Sequence, residues 1–178
     1  MTLRLRAWLL SLLVALPSAL AGQSIGANVG PAVPLGSLAE YRHVGFRAQG
    51  SLSAASGLLR AEVAGVYIPG TDDPDASDWR TRDWRSVSIG GSVLPMLGRS
   101  EALRLRGLFG LSAHRSRIRG VSNPYGTVPG LQLGAVLERS WRTSLLTAEL
   151  GLHVVASDYG VDESGGAFFV PLLVGFRW

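Results

Sequence analysis

The chain contains no cysteine and no lysine, few charges of either sign and, beyond residue 21, no long apolar run. Without cysteine there is no disulfide scaffold, no thiolate zinc site and no cysteine nucleophile. Only 17% of the residues are charged, against about 25% in an ordinary soluble domain. Without a further stretch of roughly 20 apolar residues, no membrane-spanning helix is expected. All 17 basic residues are arginine, and the formal net charge is +4. The arginines are scattered rather than gathered into a stripe, so nucleic acid is not an expected partner. Gly-rich phosphate loops and catalytic elbows are missing too. What is present is glycine, 23 residues of it, in a chain of 178 residues that suits one domain. Low charge, abundant glycine and no apolar helix together point to a membrane β-barrel.

The N-terminus reads as an export signal. Residues 1–6 are M-T-L-R-L-R, residues 7–16 are nearly all apolar, and Pro17-Ser18-Ala19-Leu20-Ala21 follows with small residues at Ala19 and Ala21. That is the three-part pattern of a secretory signal peptide, and the apolar run is too short to span a bilayer. The expected division is a signal peptide over 1–21 and an outer-membrane barrel domain over 22–178, with cleavage after Gly22 as the alternative. Removing Arg4 and Arg6 leaves 15 arginines against 13 acids, so most of the basic excess goes with the signal.

Period-two alternation, which puts successive side chains on opposite faces of a strand, recurs in eight segments. They are 24–34, 44–54, 59–68, 85–97, 102–114, 131–141, 145–156 and 167–178. Each has one apolar set, such as Leu103, Leu105, Phe109 and Leu111, or Leu146, Ala148, Leu150, Leu152 and Val154. The opposite set is polar or small. The connections around 55–58, 98–101 and 142–144 are short; those at 35–43, 70–84, 115–130 and 157–166 are longer. Strict alternation of short and long connections is the asymmetry of a transmembrane barrel, with short periplasmic turns and longer outer loops. Tyr67, Trp84, Trp141 and Trp178 fall near strand ends, where interfacial girdles belong. The fold class expected is all-β: an eight-stranded antiparallel up-and-down transmembrane barrel.

The last strand reads A-F-F-V-P-L-L-V-G-F-R-W, with apolar residues alternating back from Trp178 through Phe176, Val174, Leu172, Val170 and Phe168. This resembles the C-terminal assembly signal of bacterial outer-membrane barrels, carried here by Phe176 and Trp178. With the export signal and eight strands, the chain resembles the small OmpA/OmpX-like outer-membrane barrel family over its whole mature length. The resemblance implies outer-membrane location, recognition by the barrel-insertion machinery and contact with membrane lipid. It implies no single activity, because the group shares none.

A bilayer core offers the backbone no water, so a sheet there must close, with its outer face apolar. Eight strands leave an interior just wide enough for side chains to fill. The inward set carries both signs: Arg47, Arg60, Arg104, Arg106 and Arg177 against Glu62, Glu138 and Glu149. Buried charges must pair, so these residues are expected to form a lumenal network that plugs the barrel. His43, His114 and His153 are expected to fill the lumen beside it. A narrow pore is the alternative for the same residues. A soluble periplasmic calycin-like barrel would reverse the faces and line a ligand cavity with the apolar set.

Candidate chemistry is thin. His114-Arg115-Ser116 contains a His-x-Ser pair, as in lipid A deacylases of the PagL type, making His114 and Ser116 the candidate catalytic residues of a lipid-modifying enzyme. The accompanying Glu is missing before Glu138, and the register points His114 inward whereas that active site faces lipid. No enzyme activity is expected. Asp73-Pro74-Asp75-Ala76-Ser77-Asp78 has acidic spacing but lacks the sixth-position Gly and late Glu of a calcium loop, so no metal or cofactor is expected. Arg115, Arg117 and Arg119 alternate at an outer rim, and guanidinium groups bind phosphate bidentately. They are candidates for contact with lipopolysaccharide. The functional expectation is a monomeric structural or surface-interaction barrel.

Overall fold

The computed structural model describes residues 23–71, 81–119, 127–156 and 166–178. The export signal and the acidic segment of 73–78 lie outside the described residues. Nine strand segments and one short helical turn follow one another: β1 (Ser24–Leu35), α1 (Ser37–Glu40), β2 (Gly45–Ser53), β3 (Leu59–Ile68), β4 (Trp84–Val93), β5 (Met96–Arg99), β6 (Leu103–Ile118), β7 (Thr127–Trp141), β8 (Ser144–Ala156) and β9 (Gly166–Arg177). Apart from β4 and β5, which both pair with β6, each strand pairs antiparallel with its chain neighbour, and β1 pairs with β9. The sheet therefore closes on itself. β4 and β5 are two parts of one strand, so the barrel has eight staves.

The interruption has a local cause. Pro95 has no N–H to give the ladder and disfavours strand continuity. Leu94 turns inward, 1% exposed, and packs with Leu108 and Val136. Its N–H donates to the Leu58 carbonyl at 2.7 Å, and Gly107 N–H donates to the Pro95 carbonyl at 2.9 Å. The ladder resumes at Met96 in the same register, opposite Arg106, and shifts between Met96 and Gly98.

The faces follow the alternation. Val63, Val87, Ile89, Leu111, Leu150 and Val174 are exposed on the outside. Asn28, Arg47, Gln49, Arg60, Glu62, Gln132, Glu138 and Glu149 are buried within. This is the reverse of a soluble ligand-binding barrel, and the calycin-like alternative is overturned. On β6 the outward apolar run extends from Leu103 to Ala113, about 25 Å along the barrel axis at ~3.3 Å per residue and ~40° tilt. That matches the apolar band of a membrane barrel.

Two boundaries differ from expectation. β6 and β7 run to Ile118 and back to Thr127, so Arg115 and Arg117 sit on a strand and not in a loop base. They were hidden because they are charged residues on the apolar set's own face. His43 is exposed and outside any strand. An isolated bridge between Arg42 and Gly70 takes the chain out of the pleat before β2 starts, so alternation does not carry back to His43, and it does not fill the lumen.

Candidate functional site

The lumen holds two charge clusters at different depths. In the first, Arg47 Nη2 contacts Glu62 Oε1 at 3.2 Å, and Arg60 bridges Glu62 Oε2 at 3.0 Å and Glu149 Oε2 at 2.6 Å. Two cations face two anions. Gln132 Nε2 also donates to Glu62 at 2.6 Å, Arg47 donates to Gln49 Oε1, and Arg60 Nε donates to Ser92 Oγ at 3.2 Å. β2, β3, β4, β7 and β8 are all tied into this cluster. A buried ion costs several kcal/mol to desolvate, so only this density of partners makes the arrangement tolerable.

The second cluster lies towards the short turns. Glu138 accepts from Arg106 Nε at 3.1 Å through one oxygen and meets Arg177 Nη1 at 2.9 Å through the other. Arg106 Nη1 also donates to the carbonyls of Gly57 and Leu94, at 3.2 and 3.1 Å. It thereby fixes both the β2–β3 turn and the break at Pro95. Gly57 has a φ of 66°, and a Cβ there would meet Arg106 Nη2 at 2.8 Å. The positive φ favours glycine there. Arg104 lies opposite Glu138 in register but is only half-buried at the mouth. Both Glu138 oxygens are already engaged, and Arg104 makes no ion pair among the described residues.

Towards the outer end, His114 is fully buried between Ser86 Oγ, 3.2 Å from Nδ1, and Ser112 Oγ, 2.8 Å from Nε2. Ser116 is buried on the same inward face. Neither side chain of the His-x-Ser pair reaches the lipid surface. Above them lies a feature the alternation did not signal. Trp84, Phe169, Ile68, Ile118, Val155 and Ala32 form an apolar cluster inside the barrel, with Leu38 of α1 resting on it. Trp84 and Phe169 rings are 6.0 Å apart, and His153 stacks on Phe169 at 4.9 Å. The signal was in the sequence as runs apolar on both faces, Phe168-Phe169-Val170 and Val154-Val155.

On the outside, Arg85 and Arg117 are direct cross-strand partners, with Arg115 one outward position further along β6. The Arg85 guanidinium lies 5.3 Å over the Tyr67 ring. Asp83, nearly buried, stands 3.9 Å from both Arg85 and Arg119. At the opposite end, Trp178 and Ile25 exchange both backbone hydrogen bonds, 2.8 and 3.0 Å, and the Phe176 and Trp178 rings stack at 6.3 Å on the outer surface. Among the described residues no group of His, Asp and Glu side chains is placed to hold a metal.

No family model and no curated protein matches the sequence. Among solved structures, the barrel is similar to that of neisserial surface protein A, with a TM-score of 0.67 and 18% identity over 88% of this chain and 96% of that one. A major outer membrane protein from Thermus thermophilus gives 0.48 and 13%, over 88% and 98%. The N-terminal β-barrel domain of Pseudomonas aeruginosa OprF gives 0.47 and 16%, over 87% and 97%. The likeness to the neisserial barrel is one of fold. Together with the outward apolar belt and inward charges, it makes this chain an eight-stranded β-barrel of the outer-membrane kind.

Proposed function

We propose that the protein is a closed, non-catalytic outer-membrane barrel that acts through its outer surface, with its lumen plugged by the Arg/Glu network. The observation that carries this reading is the chain of contacts Arg47–Glu62–Arg60–Glu149 across the interior, under an apolar cap centred on Trp84 and Phe169. Paired charges leave no free field to conduct an ion, and the cap removes water from the outer end. Its partners are outer-membrane lipid and lipopolysaccharide, with the insertion machinery reading Phe176 and Trp178 during assembly, and the working unit is a monomer. The inward burial of His114 and Ser116 supports a non-catalytic role, since an ester bond of a membrane lipid would have to cross the barrel wall to reach them.

Purified protein in planar bilayers tests the closed lumen. Brief, small openings fit a plug that rearranges. A large, steady conductance, unchanged by Glu62→Ala and Glu149→Ala, would reject it. Release of acyl chains from lipid A by wild-type protein but not by His114→Ala would reject the non-catalytic reading.

A further inference from the structure

The charges of the chain are divided unevenly between the two ends of the barrel. Of its 13 acids, Glu62 and Glu149 lie deep in the lumen. Nine belong to the end with the long connections: Glu40, Asp83 and the seven in the segments 72–78 and 158–163. Only Glu101 and Glu138 are left for the end with the short turns, which in a barrel of this kind faces the periplasm. That end carries six arginines: Arg99, Arg104, Arg106, Arg139, Arg142 and Arg177. The surplus is four, and a carboxylate on Trp178 would still leave three.

Four of the six gather at the mouth of the lumen. Arg104 stands directly opposite Arg99 on one side and Glu138 on the other, so the three share the inward face. Arg106 and Arg177 occupy the two Glu138 oxygens. Arg104 and Arg106 both lie close enough to Arg177 to repel it. Arg99 and Arg104 make no ion pair among the described residues, and Glu101 is exposed in the β5–β6 turn. Like charges directly opposite each other weaken a strand pair. The deeper cluster sets two cations against two anions, so imbalance is particular to the mouth.

Arg177 gives a second, independent sign. Its side chain is only 10% exposed, yet its Nε has no acceptor. A buried donor without a partner is uncommon and costly. The space on the inner side, beside Glu138, Thr147 and Ser53, is a cavity of about 10 Å³. An acceptor of any size has to enter from the open mouth.

The charge selects its chemistry. A carboxylate offers two oxygens and one charge. A phosphomonoester offers three oxygens and about −1.5 to −2 charges at neutral pH, closer to the surplus of three that four arginines hold over Glu138. Guanidinium forks also match phosphate bidentately. We propose that the short-turn mouth of the lumen is a binding site for a phosphomonoester group. Arg99, Arg104 and the Nε of Arg177 hold it, and Arg106 and Glu138 form the floor. This goes beyond a role at the outer surface and does not depend on it. The group can come from a soluble phosphate or from the headgroup of a phosphatidic acid in the inner leaflet.

The test is a titration of the refolded barrel, ¹⁵N-labelled at arginine Nε, with inorganic phosphate in phosphatidylcholine nanodiscs at constant ionic strength. The Arg104 and Arg177 Nε resonances should shift and saturate, and chloride should not reproduce the shift. Arg99→Gln/Arg104→Gln should weaken binding at least tenfold. It should keep the heat-modifiable gel mobility of the folded barrel, since neither residue has an ion pair to lose. Arg139→Gln/Arg142→Gln removes the same charge from the outer face beside Leu103 and from the β7–β8 turn, and should leave the affinity within about twofold. Nanodiscs containing phosphatidic acid separate the sources. Loss of the phosphate response there assigns the site to the lipid headgroup, and an unchanged affinity assigns it to soluble phosphate; both support the site. Shifts that never saturate, or that chloride reproduces, overturn the proposal. So does equal weakening by the two double variants, the result expected of diffuse charge around the rim.

Discussion

Arg60 on β3 spans the lumen to Glu149 on β8, with Nη1 2.6 Å from Oε2. The two staves are not neighbours in the sheet, so this contact ties opposite walls of the barrel together. Arg60 has a second carboxylate partner in Glu62, whereas Glu149 makes no second ion pair among the described residues and feels Arg47 only at longer range. The pair is therefore asymmetric in what each partner would leave behind.

Arg60→Leu strands Glu149 in the lumen and should cost about 3–5 kcal/mol, the range for an uncompensated buried charge. Glu149→Leu leaves Arg60 with Glu62 and should cost less, roughly 1–3 kcal/mol. The double substitution should be no worse than Arg60→Leu alone. Urea unfolding in lipid vesicles measures all three. If the two single variants fell equally and additively, the cross-lumen pair would carry no coupling.

One position further along β8 the environment inverts. Glu149 is wholly buried, and Leu150 is 55% exposed on the outer face. In the bilayer that exposure is to lipid. Leu150→Arg should cost roughly 2–4 kcal/mol, the range for a basic residue near the midplane, and Leu150→Ala less. Equal folding yields for Leu150→Arg and wild type in vesicles would mean the outer face of β8 is not in hydrocarbon.

Staves, closure and the inward position of every proposed lumenal charge were legible because a strand repeats every two residues and a barrel has only two faces. Which charges meet was not legible. Arg60 and Glu149 are brought together by curvature across the lumen, and no spacing along the chain encodes that. Alternation also fails where both faces are apolar. Ile68, Val155 and Phe169 fill the outer end of the lumen, but their neighbours Tyr67, Val154 and Phe168 are also non-polar, so the pattern carried no contrast; Trp84, expected in an interfacial girdle, instead points inward between the charged Asp83 and Arg85. Arg115 and Arg117 failed in the opposite way. They are polar on both sides of the pleat with Ser116, which reads as a loop although the ladder continues to Ile118. At Pro95 the stave breaks for want of one N–H, yet the flanking apolar residues keep the parity of a continuous strand.

Topology can be read cleanly because the chain contains no cysteine. Ala39 in α1 and Ala55 in the β2–β3 turn are exposed at opposite ends of the barrel. A membrane-impermeant maleimide should label Ala39→Cys on intact cells. Ala55→Cys should react only after the outer membrane is permeabilised. The reverse pattern would place the long connections in the periplasm.

Trp84 and Trp178 mark the two ends of the molecule and should respond differently to the same change. Trp84 is 1% exposed inside the outer end of the barrel and packs on Phe169 and its cluster. Truncating such a residue removes buried surface and leaves a cavity, so Trp84→Ala should cost about 3–5 kcal/mol. It should also thin the cap and make brief openings in planar bilayers more frequent, while the ion pairs beneath still prevent a steady current. Trp178 is 61% exposed on the lipid-facing surface, and its backbone bonds to Ile25 do not need its side chain. Trp178→Ala should change unfolding in vesicles by less than about 1 kcal/mol, since little buried area is lost. Its effect should appear in cells, as slower conversion to the heat-modifiable folded form. Identical unfolding curves for Trp84→Ala and wild type would show that the apolar cluster does not seal the lumen.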